Sequence, residues 1–292
     1  MKLIRQKQIL KQNSLIVFLA IIASCLFSNP SIGSQSTDND GAQYVWLNQV
    51  KPANSIIKKY AIPNGYKRII TKSGSYEQFL QNLPLKPKNS ELVKYDGSNV
   101  WPNNHADSII EIDVGTRDIQ QCADVVIRLY AEYLYQQKRY DDLSFNFTSG
   151  DAFPYQDYLS GKRAVVSGHS VNWAFGNRSE DTYDNFRKWL DTIFVYAGTA
   201  SLARDLKRVS IKDAKIGDVF IDPGFPGHAV LIVDLAIDAN GHKKAILIQG
   251  FTPAQSPHVI KSFDTDAWFS LHEGQDIDTP LWRFKASQLY RF

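Results

Sequence analysis

The chain has 292 residues, a formal net charge of +3 and an apolar content of 43%. Its basic excess lies in residues 1–34, which hold four basic and no acidic residues, so the remaining residues carry a net charge of −1. A chain without a basic excess is not typical of nucleic-acid binding. The 258 residues after position 34 suffice for one large α+β domain.

The first residues predict export from a bacterial cell. Four basic residues precede or flank an apolar run of 13 residues, Leu15–Phe27, with no acid nearby. Such a run is shorter than the roughly 20 residues of a membrane-spanning helix and has the length of a signal-peptide core. Ile22-Ala23-Ser24-Cys25 resembles a lipobox and predicts a lipid anchor on Cys25, with residues 1–34 as anchor and tether. The alternative is cleavage at Ser31-Ile32-Gly33, which would give a periplasmic or secreted protein.

Residues 44–115 are predicted to form an N-terminal lobe of the same domain, and residues 116–292 its core. In the lobe, Ser75 and Gln78 fit a capping box for a helix from Tyr76 to about Leu83, and alternation over Ile109–Val114 predicts a strand. In the core, Asp118 reads as the N-cap of a helix that carries Cys122 and ends near Gln137.

Further patterns divide the rest of the core. Residues 140–180 are aromatic and rich in glycine, which predicts long loops, and Trp173 and His169 are candidates to line a substrate cleft there. A second helix is predicted over Thr182–Ala197. Short apolar runs predict strands at 218–221, 229–234 and 245–249, with a hairpin turn at Asp238–Gly241. Arg128 and Glu132, four residues apart, predict a solvated ion pair.

Cys122 is the candidate nucleophile, because it is the sole thiol once Cys25 is lipidated or removed. A helix N-terminus lowers the pKa of a thiol and so favours its reactive thiolate. His228 opens a predicted strand and is the candidate base, and the turn at 238–241 brings Gln249 beside it, where its amide could orient the imidazole. The backbone N–H of Cys122 is the candidate oxyanion donor, supported by Gln120 or Gln121.

Three short motifs carry a resemblance: Gln121-Cys122-Ala123-Asp124, Gly217-Asp218-Val219-Phe220-Ile221 and Gly227-His228-Ala229-Val230-Leu231-Ile232-Val233. Their order resembles that of the NlpC/P60 cysteine peptidases and the related CHAP amidases. The resemblance implies a papain-like core in which a Cys-bearing helix packs on an antiparallel sheet, here with an aromatic loop and helix insertion. The motifs also resemble an uncharacterised bacterial family of exported proteins that shares Q-C-A-D, G-D-V-F-I and P-G-H-A-V.

These observations favour an exported thiol hydrolase that cleaves an amide or ester bond, with a peptide, peptidoglycan or similar envelope substrate. Two alternatives stay open: a catalytically silent envelope lipoprotein that binds peptide or glycan through an aromatic cleft, and a structural lipoprotein in which Cys122 is a core residue. We expect no cofactor, and the remaining histidines show no metal-ligand spacing.

Overall fold

The computed structural model describes residues 44–47, 54–168, 170–264 and 266–292, so the predictions for Cys25, for residues 1–34 and for His169 lie outside the described residues. The helices are α1 Ile56–Lys59, α2 Tyr76–Gln81, α3 Cys122–Gln136, α4 Tyr155–Leu159, α5 Tyr183–Tyr196 and α6 Thr199–Asp205. The strands are β1 Tyr66–Arg68, β2 Ala106–Ile109, β3 Ser144–Asn146, β4 Ala152–Pro154, β5 Lys162–Ser167, β6 Ser170–Phe175, β7 Lys207–Arg208, β8 Val219–Asp222, β9 His228–Asp238, β10 Lys243–Gln249, β11 His258–Ile260, β12 Trp268–Leu271, β13 Ile277–Asp278, β14 Arg283–Phe284 and β15 Leu289–Arg291.

A mixed α+β architecture is built around one antiparallel sheet. Nine of the described strands form this sheet in the order β2-β11-β10-β9-β8-β15-β7, with β1 also paired to β9 and β12 to β10, and the other six form the two-stranded sheets β3–β4, β5–β6 and β13–β14. At its centre, nine consecutive residues of β9, His228–Ala236, are buried. Since side chains alternate between the faces of a strand, this strand is covered on both faces. The helix α3 packs against β9 and β10.

The hairpin β9–β10 fixes the relation between its two strands. The backbone N–H of Gly241 donates to the carbonyl of Asp238, which closes the predicted turn. Beyond a register shift between Ile246 and Leu247, Ile248 lies opposite Leu231. The far end of β10 therefore returns beside the start of β9, as the turn predicted.

The N-terminal segment adds strands to this sheet. β1 pairs with the end of β9, and β2 pairs with β11. Arg68 forms an ion pair with the buried Asp234 at 2.8 Å, and the Gln81 amide donates to the same carboxylate at 2.8 Å. All described residues accordingly fall within one compact unit, Asp40–Phe292.

The predicted helices are present with small shifts at their ends. Ser75 Oγ accepts a hydrogen bond from the Gln78 N–H at 3.2 Å and begins α2, and Thr182 caps α5 in the same way. The strand predicted over 109–114 lies earlier, at Ala106–Ile109. None of the helices among the described residues has the length and apolarity needed to cross a membrane.

Residues 140–180 are more regular than the predicted long loops. They form the hairpin β3–β4, the helix α4 and the hairpin β5–β6, which has six residues in each strand. Glycine content misled the prediction, because Gly150, Gly161 and Gly168 lie in short turns or bends between regular elements. A Cβ at Gly161, where φ is +102°, would stand 2.3 Å from the carbonyl oxygen of Gly176. Glycine there permits the close approach of two chain segments.

Candidate active site

Cys122 is the first residue of α3, and the helix start differs in detail from the prediction. Gln121, and not Asp118, is the N-cap, and its backbone N–H donates to the Asp124 carboxylate at 3.0 Å. Asp118 instead accepts from the Gln121 amide at 3.0 Å and from the Ala254 N–H at 2.7 Å. Asp118 thus ties the helix start to the loop after β10.

The candidate base begins the central strand. His228 Nε2 lies 2.8 Å from Gln249 Oε1, so the structure brings these two predicted residues together. The imidazole is 2% exposed and packs against the rings of Phe251, Trp282 and Phe284 at centroid distances of 5.2, 5.3 and 5.9 Å. These aromatic rings and the Gln249 amide hold the imidazole in one orientation, which is the role of the third group in a catalytic triad.

Two glycines allow the segments around the site to pack closely. A Cβ on Gly250 would stand 2.6 Å from Val125 Cγ2 and 2.9 Å from the Gln121 carbonyl oxygen. A Cβ on Gly227 would stand 2.3 Å from Thr199 Oγ1. A larger side chain at Gly250 would separate the start of α3 from the end of β10, and one at Gly227 would collide with the start of α6 and with the loop between β8 and β9.

The thiol lies against the backbone on either side of His228. Its Sγ is 3.9 Å from the Gly227 carbonyl oxygen, and the Ala229 N–H points to the sulfur. In the described residues the thiol and the imidazole form no hydrogen bond to each other. The thiol faces a cleft of about 530 Å³. Its walls come from the helix start, from the junction of α5 and α6, and from the loop between β8 and β9: Asp118, Ile119, Gln121, Cys122, Ala123, Asp124, Phe194, Val195, Ala197, Gly198, Thr199, Gly224, Phe225, Pro226, Gly227 and Thr252.

Burial sets the charge state of this pair. It raises the pKa of the Cys122 thiol to about 11, the Asp124 carboxylate adds to the rise, and the backbone N–H groups of Ala229, Ala123 and Cys122 offset only part of it. Burial lowers the pKa of His228 to about 4, against the opposing effects of Gln249 and Asp222. Both groups are therefore uncharged at neutral pH. The lowered thiol pKa expected from the helix start is wrong for this conformation, because desolvation outweighs the helix terminus.

The two predicted oxyanion supports differ in their surroundings. Gln120 is buried away from the cleft, where its amide donates to the Asp113 carbonyl at 3.0 Å and accepts from Arg128 at 2.7 Å. It is not available to a substrate, and that prediction is wrong. Gln121 does line the cleft, with its Oε1 accepting from Thr252 Oγ1 at 3.2 Å. Its amide nitrogen keeps one N–H beyond the bond to Asp118.

Arg128 and Glu132 were expected in solvent, and both are about 1% exposed. The Arg128 guanidinium reaches the Asp113 carboxylate at 2.6 Å and Glu132 at 3.3 Å, and the Tyr183 hydroxyl donates to Glu132 at 2.7 Å. A buried pair needs such additional hydrogen bonds to offset its desolvation. This network fixes α3 from behind the cleft.

Trp173 does not line the cleft at Cys122. It packs against Phe147 and Phe153 at ring-centroid distances of 6.1 and 5.2 Å, with Lys162 Nζ 4.1 Å from the centre of its ring. The cleft wall expected from the aromatic segment comes instead from the ends of α5 and α6. The hairpin β5–β6 directs Trp173 onto the β3–β4 hairpin, which sequence periodicity could not show.

One buried residue beside the site was missed. His258 is fully buried at the start of β11, opposite Gln249 in the strand register. Its Nε2 lies 3.0 Å from Gln249 Nε2, and its Nδ1 lies 3.1 Å from the Ser256 carbonyl oxygen. The available signal was a polar residue opening a short apolar strand directly after the strand of Gln249. No group of three or more His, Cys, Asp or Glu side chains within the described ranges could hold a metal ion.

Comparison with known proteins identifies a family and no characterised relative. No curated protein matches this chain, and neither does any solved structure. The sequence model of a family described as "Domain of unknown function (4846)" matches residues 56–291, a range that contains Cys122, His228, Gln249 and His258. The chain therefore belongs to that family.

Proposed function

We propose that the protein is an exported thiol hydrolase that cleaves an amide or ester bond with a papain-like Cys122–His228–Gln249 group. The observation that carries this proposal is the 2.8 Å contact between His228 Nε2 and Gln249 Oε1, beside a thiol that begins a helix and faces a cleft. A nucleophile, a base and a group that orients the base are the parts that thiol hydrolysis requires.

The contact with Gln249 defines how protons would move. An amide oxygen accepts only, so His228 Nε2 carries the hydrogen and neutral Nδ1 has a lone pair. Nδ1 takes the thiol proton as Cys122 Sγ bonds to the carbonyl carbon, and the carbonyl oxygen becomes an oxyanion. The imidazolium then gives this proton to the leaving amine or alcohol as its bond to carbon breaks. Water hydrolyses the thioester with His228 again acting as base.

The helix start would stabilise the oxyanion. The first N–H groups of a helix have no partner within the helix, and the helix dipole favours negative charge there. The Cys122 N–H is one such group at the cleft. The thiol and the imidazole are both uncharged and form no hydrogen bond to each other in the described residues. Substrate binding must therefore bring Sγ to Nδ1 before the proton moves. Catalysis then depends on general base assistance and not on a preformed thiolate.

The cleft supports a substrate with apolar or sugar-ring surface. Phe225 is 88% exposed and Val195 is 44% exposed, and both line the cleft mouth. Exposed apolar side chains beside convergent polar groups are typical of ligand sites. Together with the predicted export, this supports a peptide or peptidoglycan fragment of the bacterial envelope as substrate.

The hydrolase proposal is tested with peptidoglycan digests and a library of peptide amides and esters, analysed by mass spectrometry. The full chain should release product, and Cys122→Ala and His228→Ala should each reduce turnover by about 10²–10⁴-fold. The double variant should be no worse than either single variant, because the two residues act as a unit. Gln249→Ala should cost less. His242→Ala, an exposed histidine at the β9–β10 turn, is the matched control and should retain full activity. Equal turnover by wild type and Cys122→Ala would contradict the proposal.

Anchoring in the membrane is a separate proposal, based on the lipobox-like sequence at Cys25. Cys25→Ala should move the protein out of the membrane fraction or leave it uncleaved, and the wild-type mature N-terminus should carry lipid mass. A wild-type protein that fractionates without lipid would favour ordinary secretion, as Ser31-Ile32-Gly33 allows.

Ligand binding without turnover is the second candidate. It is favoured by the raised pKa of the thiol, its 6% exposure and the missing Cys122–His228 hydrogen bond in the described residues. In that case Cys122→Ser should retain the wild-type affinity for peptidoglycan fragments, and neither protein should release product. Product release by the wild type alone would exclude it.

A further inference from the structure

A second buried histidine stands behind the third member of the proposed catalytic group. His258 on β11 lies directly opposite Gln249 on β10, and both residues are about 1% exposed or less. Gln249 therefore has an imidazole on each side: His228 Nε2 is 2.8 Å from its oxygen, and His258 Nε2 is 3.0 Å from its nitrogen. The three side chains form one buried row.

The surroundings of His258 determine which of its ring nitrogens donates a hydrogen bond and which accepts one. His258 Nδ1 lies 3.1 Å from the Ser256 carbonyl oxygen, and a carbonyl oxygen only accepts hydrogen bonds. Nδ1 therefore carries a hydrogen. Burial lowers the pKa of His258 to about 3, so the ring is neutral and Nε2 has a lone pair. This lone pair can accept only from the NH₂ end of Gln249.

The direction of the hydrogen bond at His258 then sets the direction of the hydrogen bond between Gln249 and His228. With its NH₂ directed to His258, Gln249 presents its oxygen to His228. This oxygen requires a hydrogen on His228 Nε2, which leaves Nδ1 as the unprotonated nitrogen. A carboxylate in the position of Gln249 would accept from His228 in either rotation, whereas an amide can donate or accept depending on how it is turned. A glutamine therefore needs a partner that selects its rotation.

We propose that His258 is a positioning residue that fixes the rotation of the Gln249 amide and thereby the tautomer of His228. The catalytic use of this tautomer rests on the proposed function, because an unprotonated Nδ1 can accept the proton of Cys122. The tautomer itself does not depend on that function. Without the acceptor at His258, Gln249 can turn its NH₂ toward His228. The imidazole would then carry its hydrogen on Nδ1 and could not act as base toward the thiol.

The tautomers are measurable without a substrate. The full chain labelled with nitrogen-15 histidine gives, by two-bond proton–nitrogen correlation, the protonation of each ring nitrogen. We expect hydrogen on Nε2 of His228 and on Nδ1 of His258 in the wild type. The opposite tautomer at either ring would overturn the proposal, even if every variant at position 258 failed to fold.

Variants then test the dependence on His258. His258→Phe should shift His228 partly or wholly to the Nδ1–H form. His105→Phe is the matched control, because the His105 ring meets His258 edge to face at a centroid distance of 5.2 Å and forms no hydrogen bond with Gln249 in the described residues, and it should leave the tautomer of His228 unchanged. Adding Gln249→Glu to His258→Phe should return hydrogen to Nε2, since a carboxylate only accepts. A folded His258→Phe protein with an unchanged His228 tautomer would overturn the proposal.

The outcome separates this inference from the hydrolase proposal. If the tautomers follow His258 as described, and no envelope substrate requires Cys122, the positioning role stands and the hydrolase function fails. If turnover requires Cys122 and His228, and His258→Phe changes neither the tautomer nor kcat, the hydrolase function stands and the positioning role fails.

Discussion

We expect Cys122 in the folded protein to react with a disulfide reagent more slowly than the same cysteine in the unfolded chain. The thiolate is the attacking species, and a free cysteine has a pKa of about 8.5. In the fold, burial together with the Asp124 carboxylate raises the pKa of the thiol to about 11. The Cys122 thiol therefore ionises at a higher pH in the folded protein than in the unfolded chain.

The size of the effect follows from these two pKa values. At pH 7.5 the thiolate fraction is about 1 in 3,000 for the folded thiol and about 1 in 10 for the free thiol, a ratio of about 300. A thiolate of higher pKa is more nucleophilic, and a Brønsted coefficient of about 0.4–0.5 restores a factor of about 10–20. The folded protein should thus react about 15–30-fold more slowly, before any further loss from restricted access to the sulfur.

The assay uses Cys25→Ser, in which Cys122 is the sole thiol, and 4,4′-dithiodipyridine from pH 6 to 9.5. The rate of the native protein should rise about tenfold per pH unit throughout, while the rate in urea should level off above about pH 9. A native rate that levels off below pH 8.5 would refute the reasoning. It would mean that the helix start, and not burial, determines the pKa of the Cys122 thiol.

Three further outcomes are expected. Gly250→Ala should lower the free energy of unfolding by about 1–3 kcal/mol in urea titrations, because its Cβ would stand 2.6 Å from Val125 Cγ2. Gly176→Ala is the matched control, because this exposed glycine's added Cβ would meet only the Gly161 carbonyl oxygen at 3.9 Å, and its effect should be near neutral; equal effects of the two variants would show that the close contact at Gly250 carries no particular cost. Trp173→Ala should lower the free energy of unfolding by about 1–3 kcal/mol through lost packing while leaving the reactivity of Cys122 unchanged. Weaker ligand binding at unchanged stability would instead show that Trp173 contributes to the cleft. Since burial depresses the pKa of His258, the unfolded state binds its proton first, and stability should fall as the pH drops from 6.5 toward about 3. His258→Asn should remove up to about 1.4 kcal/mol per pH unit from that slope, and an unchanged slope would indicate a charged or solvated His258.

Local patterns in the sequence predicted the elements that carry the site. The capping residue Ser75, the apolar periodicity around Cys122 and the turn before Gly241 depend on residues a few positions apart. The pairing of Gln249 beside His228 also followed from local information, because a hairpin turn fixes the register of its two strands. These features would be expected of any chain with the same short-range pattern.

Tertiary packing decided what surrounds those residues. Arg128 and Glu132 are buried, and their hydrogen-bond partners Asp113 and Tyr183 come from other segments of the chain. Similarly, Trp173 packs on other hairpins and leaves the cleft wall to the ends of α5 and α6.

The sequence by itself determined a thiol at a helix start, a histidine opening a strand and a glutamine beside that histidine. Only the tertiary structure decided that the thiol is un-ionised at neutral pH and that His258 completes the buried row. The physical reason is that desolvation and side-chain hydrogen bonds depend on every segment that closes over a site. Helix and strand formation depend mainly on neighbours along the chain.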